Sequence, residues 1–347
     1  MQTFRVPFRS VPASRALALP LALGLLATAA RADHSAGGIV GGAAGPINAV
    51  PAGTLPEGKW SIGLRLDMID LNHKSNAELQ SLPEEIDSTD RVEVPSLSIA
   101  YGATNDLTLG ALVPYVIQRN LRESTGGGIE DNGDVKGWGA TSVYAQWRLL
   151  NQRDEDGTAA LEFAVLGGLK TPTGDTREHT PEGELLEGDH QPSQGSWEPF
   201  VGVTATRSFE RASLTADLIY THPAQGVQKT TMGNSLKYDL AWGYRLSDEL
   251  KHEHVHEDGS LHMHGTAEQQ WDVVLELNGI WRDKIDFDGA HDDNSGGNRV
   301  DLSPGVRLST IQHVSYYASF GVPIIQDVNG EEHTTDSHLV VGMSWMF

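Results

Sequence analysis

The 347-residue sequence contains no cysteine, which excludes disulfides, thiolate nucleophiles and thiolate metal sites. Basic residues are scarce: 25 Lys and Arg stand against 47 Asp and Glu, a formal net charge of −22. Such a chain lacks the basic footprint that phosphate backbones require, so no nucleic acid is expected as a partner. After residue 32 no apolar run reaches the ~18 residues a transmembrane helix needs. That excludes a helical membrane protein and leaves a transmembrane β-barrel open, because the signal of a barrel is alternation. Helix-period stretches are few, and 38 glycines imply β structure with many turns.

The N-terminus reads as an export signal. Arg5, Arg9 and Arg15 lead into Ala16 to Ala29, small and apolar except for Pro20 and Thr28, and Ala30-Arg31-Ala32 fits an A-x-A cleavage site. The expectation is a cleaved signal peptide over residues 1–32 and a mature chain from Asp33. Residues 33–59 are rich in Gly, Ala and Pro and cannot build a core of their own. Two readings stand for them, a periplasmic linker or a plug in a lumen.

From Trp60 onward, period-two segments recur. The first carries Trp60, Ile62, Leu64, Leu66 and Met68 on one face and Arg65 and Asp67 on the other. Similar segments start at Leu97, Leu107, Val143, Leu161, Val201, Leu214, Leu236, Trp271, Val300, Val314 and His338, making twelve. In the last, Leu339, Val341, Met343, Trp345 and Phe347 alternate with smaller or polar residues, so the sequence ends on an aromatic in mid-strand. An open edge there must be covered or closed, and closure into a barrel removes it. The connections alternate in length as outer-membrane barrels require, with long external loops and short internal turns. The gaps 72–91, 120–136, 171–196, 222–234, 283–298 and 326–335 are long, whereas 103–106, 151–158, 209–211 and 309–313 are short. The internal connection 248–270 breaks the rule. Pro114, Pro304 and Pro323 each remove a ladder donor, so their strands are expected to begin, bulge or end nearby. The fold class expected is all-β: an antiparallel up-and-down transmembrane barrel over residues 60–347, in the outer membrane of a Gram-negative envelope.

Gly45-Pro46-Ile47, Thr54-Leu55-Pro56 with Gly58, and the run Tyr101-Gly102-Ala103-Thr104-Asn105-Asp106-Leu107-Thr108 through Pro114-Tyr115 resemble the outer-membrane transporter-like family linked to the meta-pathway of phenol degradation. The likeness covers roughly Gly45 to Phe347 and rests on turn and strand grammar. It implies a barrel passing small, often hydrophobic or aromatic compounds, with no catalytic residues to transfer. The histidine-rich connection departs from the family pattern.

With apolar faces toward lipid, the opposite faces line the lumen. They carry Asp67, Glu162, Asp217, Asp239, Asp272, Glu276 and Asp301 against Arg65, Arg148, Lys170, Lys237, Arg245 and Arg307. Buried charges must be paired, so this near balance predicts ion pairs across the lumen and a narrow or plugged path. The acid excess then lies in connections, among them Glu78, Glu84, Glu85, Asp87 and Asp90 in the first loop and Glu178, Glu182, Glu184, Glu187 and Asp189 in the third. Such a mouth attracts cations within a Debye length of ~8 Å, or bridges through Mg²⁺ or Ca²⁺ to lipopolysaccharide. The expected partners are outer-membrane lipid and lipopolysaccharide, the barrel assembly machinery, and a small-molecule or metal substrate.

Residues 251–264 hold five of the 14 histidines: His252, His254, His256, His262 and His264. His252-Glu253-His254-Val255-His256 matches H-E-x-x-H literally, but no apolar helical stripe surrounds it to place the imidazoles on one helix face. The histidines instead alternate about the turn signal Asp258-Gly259. A three-residue loop, Asp258 to Ser260, would set His256 opposite His262 and His254 opposite His264. Such a cluster suits Zn²⁺, Cu²⁺ or Ni²⁺, and the alternative is an inert solvated insert. No cofactor is required, and with no G-x-S-x-G motif or other nominated nucleophile the chain is not expected to be an enzyme. Three functions stay open: a small-molecule channel, a barrel tied to transition metal, and a structural or binding barrel.

Overall fold

A computed structural model describes residues 45–83, 86–153, 160–248, 250, 252–255, 261–264, 266–331 and 333–347, with backbone alone for 252–255 and 261–264. The expected signal peptide and the start of the 33–59 segment lie outside the described residues.

Twelve strands form the wall. They are β1 (Trp60–Leu71), β2 (Arg91–Thr104), β3 (Leu107–Ser124), β4 (Ser142–Arg153), β5 (Ala160–Lys170) and β6 (Glu198–Ser208). The second half comprises β7 (Ala212–Thr221), β8 (Ser235–Arg245), β9 (Gln269–Arg282), β10 (Gly297–Thr310), β11 (Val314–Val328) and β12 (Thr335–Met346). Each pairs antiparallel with its sequence neighbours, and β12 pairs with β1 from Met346 opposite Ser61 to Thr335 opposite Leu71. The sheet is therefore closed. At the seam Trp60 N–H donates to the Phe347 carbonyl and Phe347 N–H to the Trp60 carbonyl, each at 3.0 Å.

The wall inverts the soluble pattern, with large apolar side chains outside and polar ones inside. Leu64, Leu97, Trp147, Val201, Leu218 and Leu275 are exposed, while Ser61, Thr108, Gln146, Thr204, Asp217, Glu276 and Arg307 are buried. At the short-turn end the aromatic rings cluster, with Trp60 and Tyr101 at 4.7 Å and Trp345 and Phe347 at 4.6 Å. At the long-loop end Tyr115 meets Trp138 edge-on at 5.2 Å. Trp271 and Trp281 mark both levels on β9. Ten residues at ~3.4 Å each, on a strand tilted ~40°, give about 26 Å along the axis, close to the ~25 Å apolar band of outer-membrane barrels. By the rule that outer-membrane barrels have long extracellular loops and short periplasmic turns, the long-loop end is assigned as external and the short-turn end as periplasmic. Replacing Phe347 by Asp puts a charge beside Trp345 at the seam, and a lower membrane-inserted fraction is expected by heat-modifiable gel mobility. An unchanged fraction would show that this ring does not matter to assembly.

The prolines fall where ladders are interrupted. At Pro114, β3 changes partner: Leu107 to Leu112 pair with β4, and Tyr115 to Ser124 pair with a further strand, Ile129–Trp138. Pro304 sits in the break between Leu302 opposite Val322 and Gly305 opposite Ser319, and Pro323 abuts the register shift between Val300 and Asp301.

Two expectations need correction. The gap 120–136 is largely strand, because β3 runs on beyond the membrane and Ile129–Trp138 folds back along it; above the apolar band, neither face has to alternate, so the pattern carries no signal. The histidine-rich connection does form a hairpin, but it pairs His252 with His264, Glu253 with Met263, His254 with His262 and Val255 with Leu261. The register is displaced by two residues from that of a three-residue turn. The register follows from loop length, which the turn signal alone does not fix, and a shift of two leaves the even-numbered positions on one face of the ribbon. His256 lies outside the described residues.

Candidate functional site

Gly45 to Pro56 run through the barrel interior, and the inward side chains hold their backbone. The Glu276 carboxylate (β9) accepts from Ile47 N–H at 2.7 Å and Asn48 N–H at 3.0 Å. Asp217 (β7) accepts from Val50 N–H at 2.7 Å, Thr206 (β6) from Ala52 N–H at 3.0 Å, and Thr108 (β3) from Leu55 N–H at 2.8 Å. The carbonyls are met as fully: Arg65 (β1) donates to Ile47 at 2.9 Å, Lys237 (β8) to Asn48 at 2.8 Å, and Gln146 (β4) to Pro51 and Gly53 at 2.9 and 3.0 Å. Arg307 (β10) bonds the Pro46 carbonyl and Thr204 (β6) that of Val50. The segment thus crosses from the β9–β10 wall to the β3–β4 wall. Its small residues permit the approach, and Ala52 is fully buried. A segment without regular structure has no internal partners for its backbone, so polar wall groups must supply them.

The thirteen charged positions expected on inward faces divide by partner. Arg65, Asp217, Lys237, Glu276 and Arg307 bond the segment directly. Asp67 accepts from Arg65 at 2.7 Å and faces His338 at 2.9 Å. Asp239 pairs with Lys237 and accepts from Asn278 at 3.1 Å. Arg148 meets Glu162 at 2.6 Å, and Lys170 meets Glu198 at 2.8 Å. Asp301 meets Arg299 at 3.3 Å, and Asp272 accepts from Gln270 at 3.1 Å. Arg245 and Asp272 border a space of about 10 Å³ beside Gly45, roughly enough for one water. These pairs run along one strand or between neighbours, contrary to the expectation of pairs across the lumen. Residues i and i+2 on a strand share a face about 7 Å apart, within side-chain reach, whereas the opposite wall is not. Glu198, Arg299 and the polar set Thr108, Gln146, Thr204 and Thr206 were missed; a polar residue on the inward face of an otherwise apolar strand was the available signal.

A second polar cluster lies among the external loops. Asp87, on the short strand Asp87–Ser88 opposite Glu123, meets His190 Nε2 at 2.7 Å, and Asp189 comes within 3.9 Å of the same nitrogen. Burial alone would lower the His190 imidazole, but Asp87 and Asp189 outweigh it and push it up to about 10. Burial, then Asp87 and Glu187, push the Glu123 carboxyl up to about 7. His333 accepts from Thr89 N–H at 3.0 Å, and burial pulls it down to about 4. Sequence order gave no hint of this cluster, which draws on loops a hundred residues apart.

The outer surface of β12, β1, β2 and β3 carries an apolar recess of about 560 Å³ lined by Leu64, Leu66, Pro95, Leu97, Tyr115 and Trp138 among others.

Among solved structures, the COG4313 outer membrane channel from Pseudomonas putida F1 shares the fold, at 13% identity and a TM-score of 0.55, with 85% of this chain and 97% of that chain covered. The β domain of the Bordetella autotransporter Brka (14% identity, TM-score 0.43, 84% and 99% covered) and the KdgM porin (11%, 0.34, 83% and 99%) are more distant barrels whose likeness carries no functional weight. No curated protein sequence matches the chain. The family described as "Putative MetA-pathway of phenol degradation" matches residues 89–309, well over half of the sequence. Closed by twelve strands around its own N-terminal segment, this outer-membrane β-barrel belongs to that family.

Proposed function

We propose that the barrel is a substrate-selective outer-membrane channel for small apolar or aromatic molecules, closed to bulk water by residues 45–56, and that it is not an enzyme. The observation that carries this reading is the occupied lumen: charged side chains that could line a wide aqueous path are bonded to the segment instead. Family membership favours the aromatic class. The expected result is slow growth of a deletion strain on low concentrations of alkylated phenols as sole carbon source, restored by the intact gene, with sugar uptake unchanged. Equal growth, together with sucrose permeation of liposomes bearing the purified barrel, would mark a hydrophilic porin instead.

A second reading is favoured by the hairpin register, which sets two histidine pairs opposite one another on the periplasmic side. There the ribbon would capture Zn²⁺, Cu²⁺ or Ni²⁺ and dock a partner or buffer the metal. Replacing His252, His254, His256, His262 and His264 by Gln is expected to lower Ni²⁺ binding by the purified barrel; equal binding would make the ribbon an inert insert.

A further inference from the structure

We infer that the external end carries a transition-metal site, separate from the histidine ribbon, whose protein ligands are Asp87, Asp189 and His190. One ligand atom from each lies within 4.8 Å of the others. An ion bound at ~2.0–2.2 Å sets its ligands roughly 3 to 3.6 Å apart, so small side-chain rotations suffice to close the set.

The arrangement is held before any ion arrives. The Asp87–Ser88 strand is fixed to the outer end of β3. The loop bearing Asp189 and His190 is pinned by Gln118, which donates to the His190 carbonyl at 3.1 Å. The buried Gln191 accepts from Glu178 N–H at 2.8 Å and donates to the Leu186 carbonyl at 2.7 Å. His190 is only 8% exposed and directs Nε2 between the two carboxylates.

An ordinary His–Asp hydrogen bond accounts for Asp87 and leaves the rest unexplained. Asp189 Oδ1 is buried without a hydrogen-bond partner, and an orphaned buried polar atom is costly. Among the described residues, neither aspartate has a Lys or Arg ion-pair partner; each meets only His190. Glu123 stands across the strand pair from Asp87, adding a further carboxylate. A divalent cation, taking the place of the proton between His190 Nε2 and Asp87, answers the charge of the two carboxylates and takes up Asp189 Oδ1. One imidazole with two carboxylates suits Zn²⁺ and similar borderline ions, whereas Ca²⁺ prefers an all-oxygen shell. Bound there, the ion would tie the first and third external loops to β3.

The test uses the full barrel in detergent with the five ribbon histidines replaced by Gln, so that only the external site is read. Calorimetric titration is expected to show one equivalent of Zn²⁺ bound in preference to Ca²⁺. The double variant Asp87→Asn with Asp189→Asn should bind at least about ten-fold more weakly, its folding checked by heat-modifiable mobility. Absence of Zn²⁺ binding in the ribbon-free barrel, equal affinity of the double variant, or Ca²⁺ bound as tightly as Zn²⁺ would each overturn the assignment.

Discussion

Deleting Pro46 to Leu55 is expected to raise single-channel conductance in planar bilayers by at least about ten-fold over the intact barrel. Eight strands leave an interior that side chains fill, and sixteen to eighteen leave an aqueous channel. A twelve-stranded wall lies between these limits, so what occupies it decides the path. With the segment gone, Glu276, Asp217, Arg65, Lys237 and Arg307 lose their backbone partners. Polar groups that lose these hydrogen bonds recruit water in their place, and a hydrated, charge-lined lumen conducts. The inter-strand ladder is untouched, so heat-modifiable mobility should persist. A deletion variant that folds and stays as silent as the parent would mean that the side chains alone close the lumen.

Glu276→Ala should release the segment without removing it. Its carboxylate, 1% exposed, accepts from Ile47 and Asn48 N–H, and each buried donor left unpaired costs ~1–3 kcal/mol. Several kcal/mol is enough to populate a detached segment, which thermolysin would cut at its apolar residues at least about ten times faster than in the parent. Glu276→Gln keeps an acceptor oxygen of the same reach and should fall between the two. Cleavage at the parental rate in Glu276→Ala would move the anchoring role to Asp217, Arg65 and Lys237.

The strands were legible because one rule, apolar on every second position, operates wherever the wall meets lipid. Trp60 to Met68 and Leu339 to Phe347 show it without interruption, and loop parity then orders the set into a barrel. The rule lapses above the membrane, which is why Ile129–Trp138 read as loop. It also names a face and not a partner. Arg65 and Glu276 read as lumen charges, yet their contacts are backbone groups of Ile47 and Asn48, and a Gly/Ala/Pro-rich stretch carries no pattern that says which wall it will touch. The histidine hairpin was visible from Asp258-Gly259, but its register depends on loop length, which one turn signal leaves undetermined. Asp87 and Asp189 looked like two among many loop acids; their meeting at His190 is a product of tertiary structure alone.

The chain's lack of cysteine permits the most direct test of the central claim, that residues 45–56 fill the lumen. Single variants Ala49→Cys and Ala52→Cys replace residues that are 5% and 0% exposed, and Glu57→Cys serves as the exposed control. In the folded barrel a water-soluble maleimide is expected to label Glu57→Cys promptly and to leave the other two unmodified until the protein is heat-denatured. Prompt labelling of Ala49→Cys and Ala52→Cys in the folded, heat-modifiable form would place the segment outside the lumen and contradict the account.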